Sequence, residues 1–437
     1  MSTHASPKSA AFFERAKKVL PGGVSRNTLL RGAHPLYVAQ GKGCIVTDID
    51  GVERIDFANN MASHIHGHAF PPIVNAITEQ LQRGTAFTMA TEAEVRYAEH
   101  MCSRSPNFDK IRFVNSGTEA VMAGMKAARA YTGRPKIAKV EGSYHGAYDY
   151  AEVSQAPTPD NWGLIDHPNP VPLAKGTPQA VLDDMIIIPF NDPEKALAIL
   201  DEHAHQIACV LIDPIPHRIG MIPVEDGFVK ALRQWTHDNG TLLMFDEVIT
   251  YRSEVGGMQE RFDIAPDLIS MGKMIGGGFP VGALAGCDKI MEVFVNGRLP
   301  HSGTFSANPV TMTAGRVAME LFDKAAVARL NKLGDYARSS IADAIKVADV
   351  PACVTGTGSL FRIHLKAQAP GNYREAHLTV QESKALTALI NALYDEGIMM
   401  IHTGAAALST PMGNEEIDRL ADAVLNSLRS IKDLSGN

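Results

Sequence analysis

Residues 268–286 read LISMGKMIGGGFPVGALAG: an apolar strand, a glycine-rich turn and a second apolar strand. A single charged amine, Lys273, interrupts them, and no acid follows until Asp288. A lysine at a strand end can bury its stem and reach water with its ammonium. Alternatively it is held in a partly dry pocket because its working form is a neutral amine or an imine. The stretch alone leaves both readings open.

Outward from this point the chain is ordered like a sheet wrapped in helices. From about Pro71 to Met319, apolar runs (KIRFVNSG, PKIAKVEG, IACVLIDP, TLLMFDEV, DLISMGK, ALAGC) alternate with helical patterns such as Glu119 to Tyr131 and Gly227 to Asn239. Alternation of this kind predicts an α/β fold with a mostly parallel sheet covered on both faces. Residues 1–70 read as a first helix and a β-meander, with QGKG and DIDG supplying the turns. Residues 320–437 read as a small α+β domain, leaving 71–319 as the large domain. A proline-rich stretch between Gln155 and Gln179 is too long for an ordinary connection and is expected to be a lid.

Composition narrows the function. The chain has 437 residues, a net charge of −7 and 20% charged residues, with no basic footprint for nucleic acid. Its five cysteines are odd in number and far apart, so neither a disulfide framework nor a zinc site is expected, and a reducing cytoplasm fits best. No apolar run has the length of a membrane span, and the first residues lack the apolar core of a signal peptide.

Four strand-end features carry the chemistry. In RFVNSGTEAV, Ser116, Gly117 and Thr118 stand between a strand and a helix, where small residues and free N–H groups suit a phosphate, although a plain helix cap reads the same way. Asp246 ends the strand TLLMFDEV and needs a cationic or N–H partner, for which a protonated ring nitrogen would serve. Tyr144, in EGSYHGAYD, follows another strand and could stack on a ring. Lys273 follows Asp246 by 273 − 246 = 27 residues, enough for one helix and one strand. Phosphate donors, a ring-facing aromatic, an acid for a pyridine nitrogen and an amine for a Schiff base together describe pyridoxal 5′-phosphate.

The motifs NSGTEA, SYHG, FDEV, GK followed by GGG, and GTFSANP resemble those of the class III aminotransferases over nearly the whole chain. PGGVSR, GMIP, GGGFPVGALAG and SGTFSANP look most like the branch of glutamate-1-semialdehyde aminomutase and the β-phenylalanine aminotransferases. The resemblance implies fold type I, with a mostly parallel seven-stranded sheet and a small α+β domain drawn from both termini. It also implies a homodimer with shared active sites. Carried over by position, Ser116, Gly117 and Thr118 take the phosphate, Tyr144 stacks on the ring, Val248 packs on its other face, Asp246 pairs with the ring nitrogen and Lys273 forms the Schiff base. Thr304 reaches the phosphate of the neighbouring subunit's cofactor. Lys273, Asp246 and Tyr144 are the expected catalytic residues.

The chain also departs from its relatives. Asp213-Pro214 stands where many members have Glu-Pro, which puts that acid's place beside the ring in doubt; His217 and Arg218 in IPHRIGMIP read as a surface turn. Arg26 aligns with an arginine that holds the substrate carboxylate in the β-phenylalanine enzymes, against the plainer reading of an exposed ion pair. Thr403 occupies the place of their second arginine. His64, His66 and His68 would share a face on a strand, but no carboxylate or cysteine completes a metal site and none is expected; Met61 and His64 are substrate-pocket candidates. The expected activity is transfer of an amino group from an amino acid, most simply a β-amino acid, to a keto acid. The alternatives are the 2,1-aminomutase reaction on glutamate 1-semialdehyde and a non-catalytic regulator that only binds the cofactor.

Overall fold

The computed structural model describes residues 6–30 and 32–435. Its centre is a seven-stranded sheet: β1 (Lys110–Val114), β2 (Lys136–Val140), β3 (Met185–Ile188), β4 (Ile207–Ile212), β5 (Leu242–Asp246), β6 (Leu268–Gly272) and β7 (Gly282–Gly286). Across the sheet they lie in the order β1-β7-β6-β5-β4-β2-β3. The apolar runs of the sequence supply six of these strands; β3, a four-residue run, is the seventh. Strands β3, β2, β4, β5 and β6 pair in parallel. β7 runs antiparallel to both β6 and β1. The connection from β6 to β7 is too short for a crossover, so the chain must return antiparallel. That return is the glycine-rich turn that carries Lys273.

Both faces of the sheet are apolar, as helices on both sides require. Along β5, Leu243 and Phe245 enter one core while Leu242 and Met244 enter the other, which also holds Val121 and Met125 of the helix Gly117–Thr132. The strands Val38–Lys42, Ile45–Asp48 and Glu53–Asp56 form the expected meander. Ile398–Met399 joins it in parallel at Ile55, so distant parts of the chain share one small sheet. The strands Cys353–Thr355, Leu360–His364 and Ala405–Ala407 form another. All five cysteines are unpaired. No helix of the described residues is long and apolar enough to cross a membrane.

Two sequence expectations change here. The proline-rich segment is clasped: Arg374 donates to the carbonyls of Trp162, Gly163 and Leu164 at 3.1, 2.8 and 3.0 Å while forking onto Glu141, and Tyr373 Oη donates to Pro157 O at 2.9 Å. A guanidinium that satisfies three loop carbonyls and a carboxylate ties the segment down, unlike a free lid. The three histidines lie on a loop, not a strand. His66 hydrogen-bonds Thr410 Oγ1 and Ala318 O, and His68 bonds Asp56, so the rings serve separate partners.

Candidate active site

The carboxyl ends of β1, β2, β4, β5 and β6 open onto one cleft. Ser116, Gly117, Thr118, Tyr144, His145, Asp213, Asp246, Val248 and Lys273 line it. The four separate features of the sequence therefore meet.

Ser116 is both a cap and part of the cradle. Its Oγ accepts from Glu119 N at 3.1 Å, starting the helix Gly117–Thr132, whose remaining N-terminal N–H groups face the cleft end of the sheet. Gly117 is required by packing, because a Cβ there would lie 2.9 Å from both methyls of Val248. Thr118 Oγ1 accepts from Ala147 N at 3.2 Å and so ties the loop after β2 to this helix.

Asp246 is held by three donors. His145 Nδ1 donates to Oδ2 at 2.7 Å; Val248 N and Ser270 Oγ donate to Oδ1 at 3.1 and 3.2 Å. Burial pushes His145 below the ordinary imidazole range, with Asp246 pulling the other way. The neutral tautomer that donates from Nδ1 fits this bond. His145 lies inside the quoted SYHG motif, yet its role was invisible because its partner is 101 residues away.

Lys273 follows β6 with φ of 50°, a left-handed conformation that costs a lysine about 1–2 kcal/mol and is kept here by the turn. Burial lowers its ammonium's pKa, while Asp246 and Asp213 oppose the shift. The neutral amine is thus nearer to hand than on an exposed lysine, and the half-buried side chain lines the cleft, in keeping with the pocket reading. Asp213, despite its shorter side chain, does line the cleft, and Ile215 N donates to its Oδ1 at 2.9 Å. Burial and the neighbouring Asp246 push it well above the usual carboxylate range.

His217 and Arg218 are not a surface turn. The His217 ring packs edge-on against Tyr144 with centroids 5.9 Å apart, and burial together with Lys273, Arg218 and Arg362 drives its pKa well below the usual value. Arg218 is half-buried, with Nε lacking a partner. The sequence signal was the replacement of a small turn by PHRIG; a turn that runs inward cannot be told from one that runs outward without the sheet it packs on.

The remaining candidates lie outside this lining. Thr304 is exposed, in a segment that turns at Gly303–Ser306. Arg26 is exposed and makes no ion pair among the described residues; its Nη1 donates to Asn60 Oδ1 at 2.9 Å. Asn60 belongs to an unforeseen feature, a left-handed run from Asn59 through Met61 to Ala62 with φ between 45° and 65°. Asp56 Oδ1 accepts from Ala58 N and Asn59 N, and Asn59 Nδ2 donates to Ala407 O at 2.6 Å, which pins the run in place. Strained backbone held this firmly is characteristic of functional segments. His64 approaches the turn after Lys273, where its ring would meet a Cβ on Gly278 at 3.3 Å.

A family model for class III aminotransferases matches residues 29–428. The chain belongs to the class III aminotransferases. It is 40% identical over 375 residues to the glutamate-1-semialdehyde 2,1-aminomutase of Methanothermobacter thermautotrophicus, covering 84% of this chain and 86% of that one. Its fold matches an omega-transaminase from Sphaerobacter thermophilus with a TM-score of 0.93 and 46% identity over 97% of each chain. It matches a β-phenylalanine aminotransferase from Variovorax paradoxus with a TM-score of 0.86 and 32% identity, over 97% of this chain and 94% of that one. Pyridoxal 5′-phosphate is the family's cofactor, and the cleft fits it: the anion cradle, the triply held Asp246 and the half-buried Lys273 are the donor set that such a molecule requires.

Proposed function

We propose that the chain is a transaminase that takes the amino group of a β-amino acid and delivers it to a keto acid. Ser116, Gly117 and Thr118 would hold the cofactor's phosphate, Tyr144 and Val248 its ring, Asp246 its ring nitrogen and Lys273 its reactive carbon. When bound, the cofactor supplies an electron sink for the charge left by a departing proton. Lys273 would move that proton, and burial shifts its pKa in the direction a base requires. His145, Ser270 and the Val248 N–H keep Asp246 oriented. Asp213, pushed toward its protonated form, can hold a proton beside them.

The observation that carries the choice of substrate is Arg26: an arginine fixed by Asn60 on a rigid left-handed turn, with no carboxylate of its own among the described residues. Such a guanidinium is ready for a substrate carboxylate. Arg26→Ala is expected to lower kcat/KM for β-amino acids about ten- to a hundredfold, the worth of one charge-assisted contact, while sparing amines that lack a carboxylate. An equal loss for both classes would remove Arg26 from recognition. The aminomutase reading is kept because of the 40% identical relative that bears that name. It requires conversion of glutamate 1-semialdehyde to 5-aminolevulinate with no added keto acid and no response of the cofactor spectrum to β-amino acids.

The working form is a homodimer in the cytoplasm, with Thr304 of each subunit serving the other's site. The exposure of Thr304 and of Phe305, which is 62% exposed, supports a covering partner.

A further inference from the structure

His217 stands between two cavities. Its ring packs on Tyr144, which lines the cleft of Lys273; its carbonyl accepts from Nη1 of Arg362 at 2.7 Å, and Arg362 lines the second cavity. This second space lies among Asn27 and Thr28 next to Arg26, Leu386 of the helix Val380–Asp395, and the loop of His402 and Thr403. None of its described lining residues is acidic.

Arg362 is 5% exposed, and its Nε is buried without a partner. No carboxylate pairs with it among the described residues, and the charge that acts on it is another cation, Arg218. Burial and that cation bring its pKa down to about 10. A buried guanidinium without an anion is destabilising, so its presence in a cavity wall points to an anionic ligand. Independently, the hydroxyl of Thr403, on the same wall, is also buried and unpartnered. A planar fork beside a hydroxyl suits a carboxylate.

We infer that Arg362, assisted by Thr403, holds the remote carboxylate of a dicarboxylic keto acid serving as amino acceptor. The inference rests on the transaminase reading. Arg362 does not line the cleft of Lys273. In this assignment a carboxylate attached to the reacting carbonyl carbon stays with Lys273, and only one carried on a longer chain reaches Arg362, whose partner His217 packs on Tyr144 of the cleft. Arg26, in its proposed role, is committed to the donor.

The test separates the two halves of the reaction. Holoenzyme loaded with amine from a donor is mixed with 2-oxoglutarate or with pyruvate, and the rate at which the cofactor spectrum returns is followed against concentration. Arg362→Gln should weaken the 2-oxoglutarate reaction about ten- to a hundredfold through its apparent affinity and leave pyruvate and the donor half unchanged. Arg362→Lys should recover part of the loss, and Thr403→Val, which leaves the guanidinium in place, should show a smaller loss of the same kind. Equal losses for both keto acids, or a loss in the donor half alone, would overturn the assignment. Glutarate, which has no carbonyl to react, provides a measure independent of turnover: calorimetry should detect its binding to wild-type holoenzyme and not to Arg362→Gln. Absence of glutarate binding to the wild type refutes the site. Failure of every amine to change the cofactor spectrum strikes the transaminase reading instead.

Discussion

β5 ends in two adjacent acids, and the structure divides their labour: Asp246 faces the cleft, while Glu247 is turned into the core with no exposed surface. Glu247 Oε2 accepts from Met258 N at 2.8 Å and from Thr250 Oγ1 at 3.2 Å, whereas Oε1 is buried without a partner. Burial outweighs those donors and the Gln259 N–H and raises its pKa from 4.5 to about 8. The folded protein therefore keeps a proton that the unfolded chain has lost over that interval. Stability must fall as pH rises from about 4.5 to about 8, by about 5 kcal/mol at 1.36 kcal/mol per unit. Glu247→Gln has no proton to lose. Its amide nitrogen would take the place of Oε1 and lack an acceptor, a cost of about 1–3 kcal/mol that does not vary with pH. The variant should melt below the wild type near pH 5 and above it near pH 9, with a crossover between, as calorimetry of the two holoenzymes in parallel would show. A difference in Tm that stays constant across this range would refute the claim that Glu247 is neutral in the fold.

Lys273→Ala is expected to abolish turnover while leaving a folded protein that still binds the cofactor, because the phosphate cradle and Asp246 do not depend on the lysine. Cofactor absorbance retained through gel filtration, with Tm near that of the wild type, checks the fold; residual turnover would remove Lys273 from its role. Inactive Lys273→Ala subunits mixed with subunits blocked at Thr304 by a bulky replacement should regain activity once subunits exchange. Mixed dimers that form and stay inactive would refute the shared site.

The lining of the cleft was legible because its residues sit where apolar strands end, and a strand end is visible in one dimension. Ser116, Tyr144, Asp246 and Lys273 each follow such a run, and parallel topology gathers those ends together. What escaped notice depends on contacts between distant segments. His145 acquires its role from Asp246, Arg362 from the carbonyl of His217 and the cavity behind it, and the left-handed run at Asn59 from anchors at Asp56 and Ala407. The misread turn at His217 had the same origin: a polar turn is exposed unless another part of the chain covers it, and here Arg362 and Tyr144 do so.

The proposed cofactor residues are common to the transaminase and aminomutase readings, so the choice between them lies with the anion-binding groups around them. A mutase returns the amino group to the molecule that supplied it and needs to recognise one carbon skeleton bearing one carboxylate. A transaminase must seat a donor and an acceptor in turn, and two cationic positions let two different acids share one reacting point. In the proposed reading Arg26, bonded to Asn60 of the left-handed run, and Arg362 behind His217 are two such positions, each without a carboxylate partner among the described residues. Retaining a buried, uncompensated Arg362 is a standing cost that a single-substrate mutase served by Arg26 would have no reason to bear. The second cavity therefore weighs toward the transaminase, and the two keto acids of different length test that weight directly.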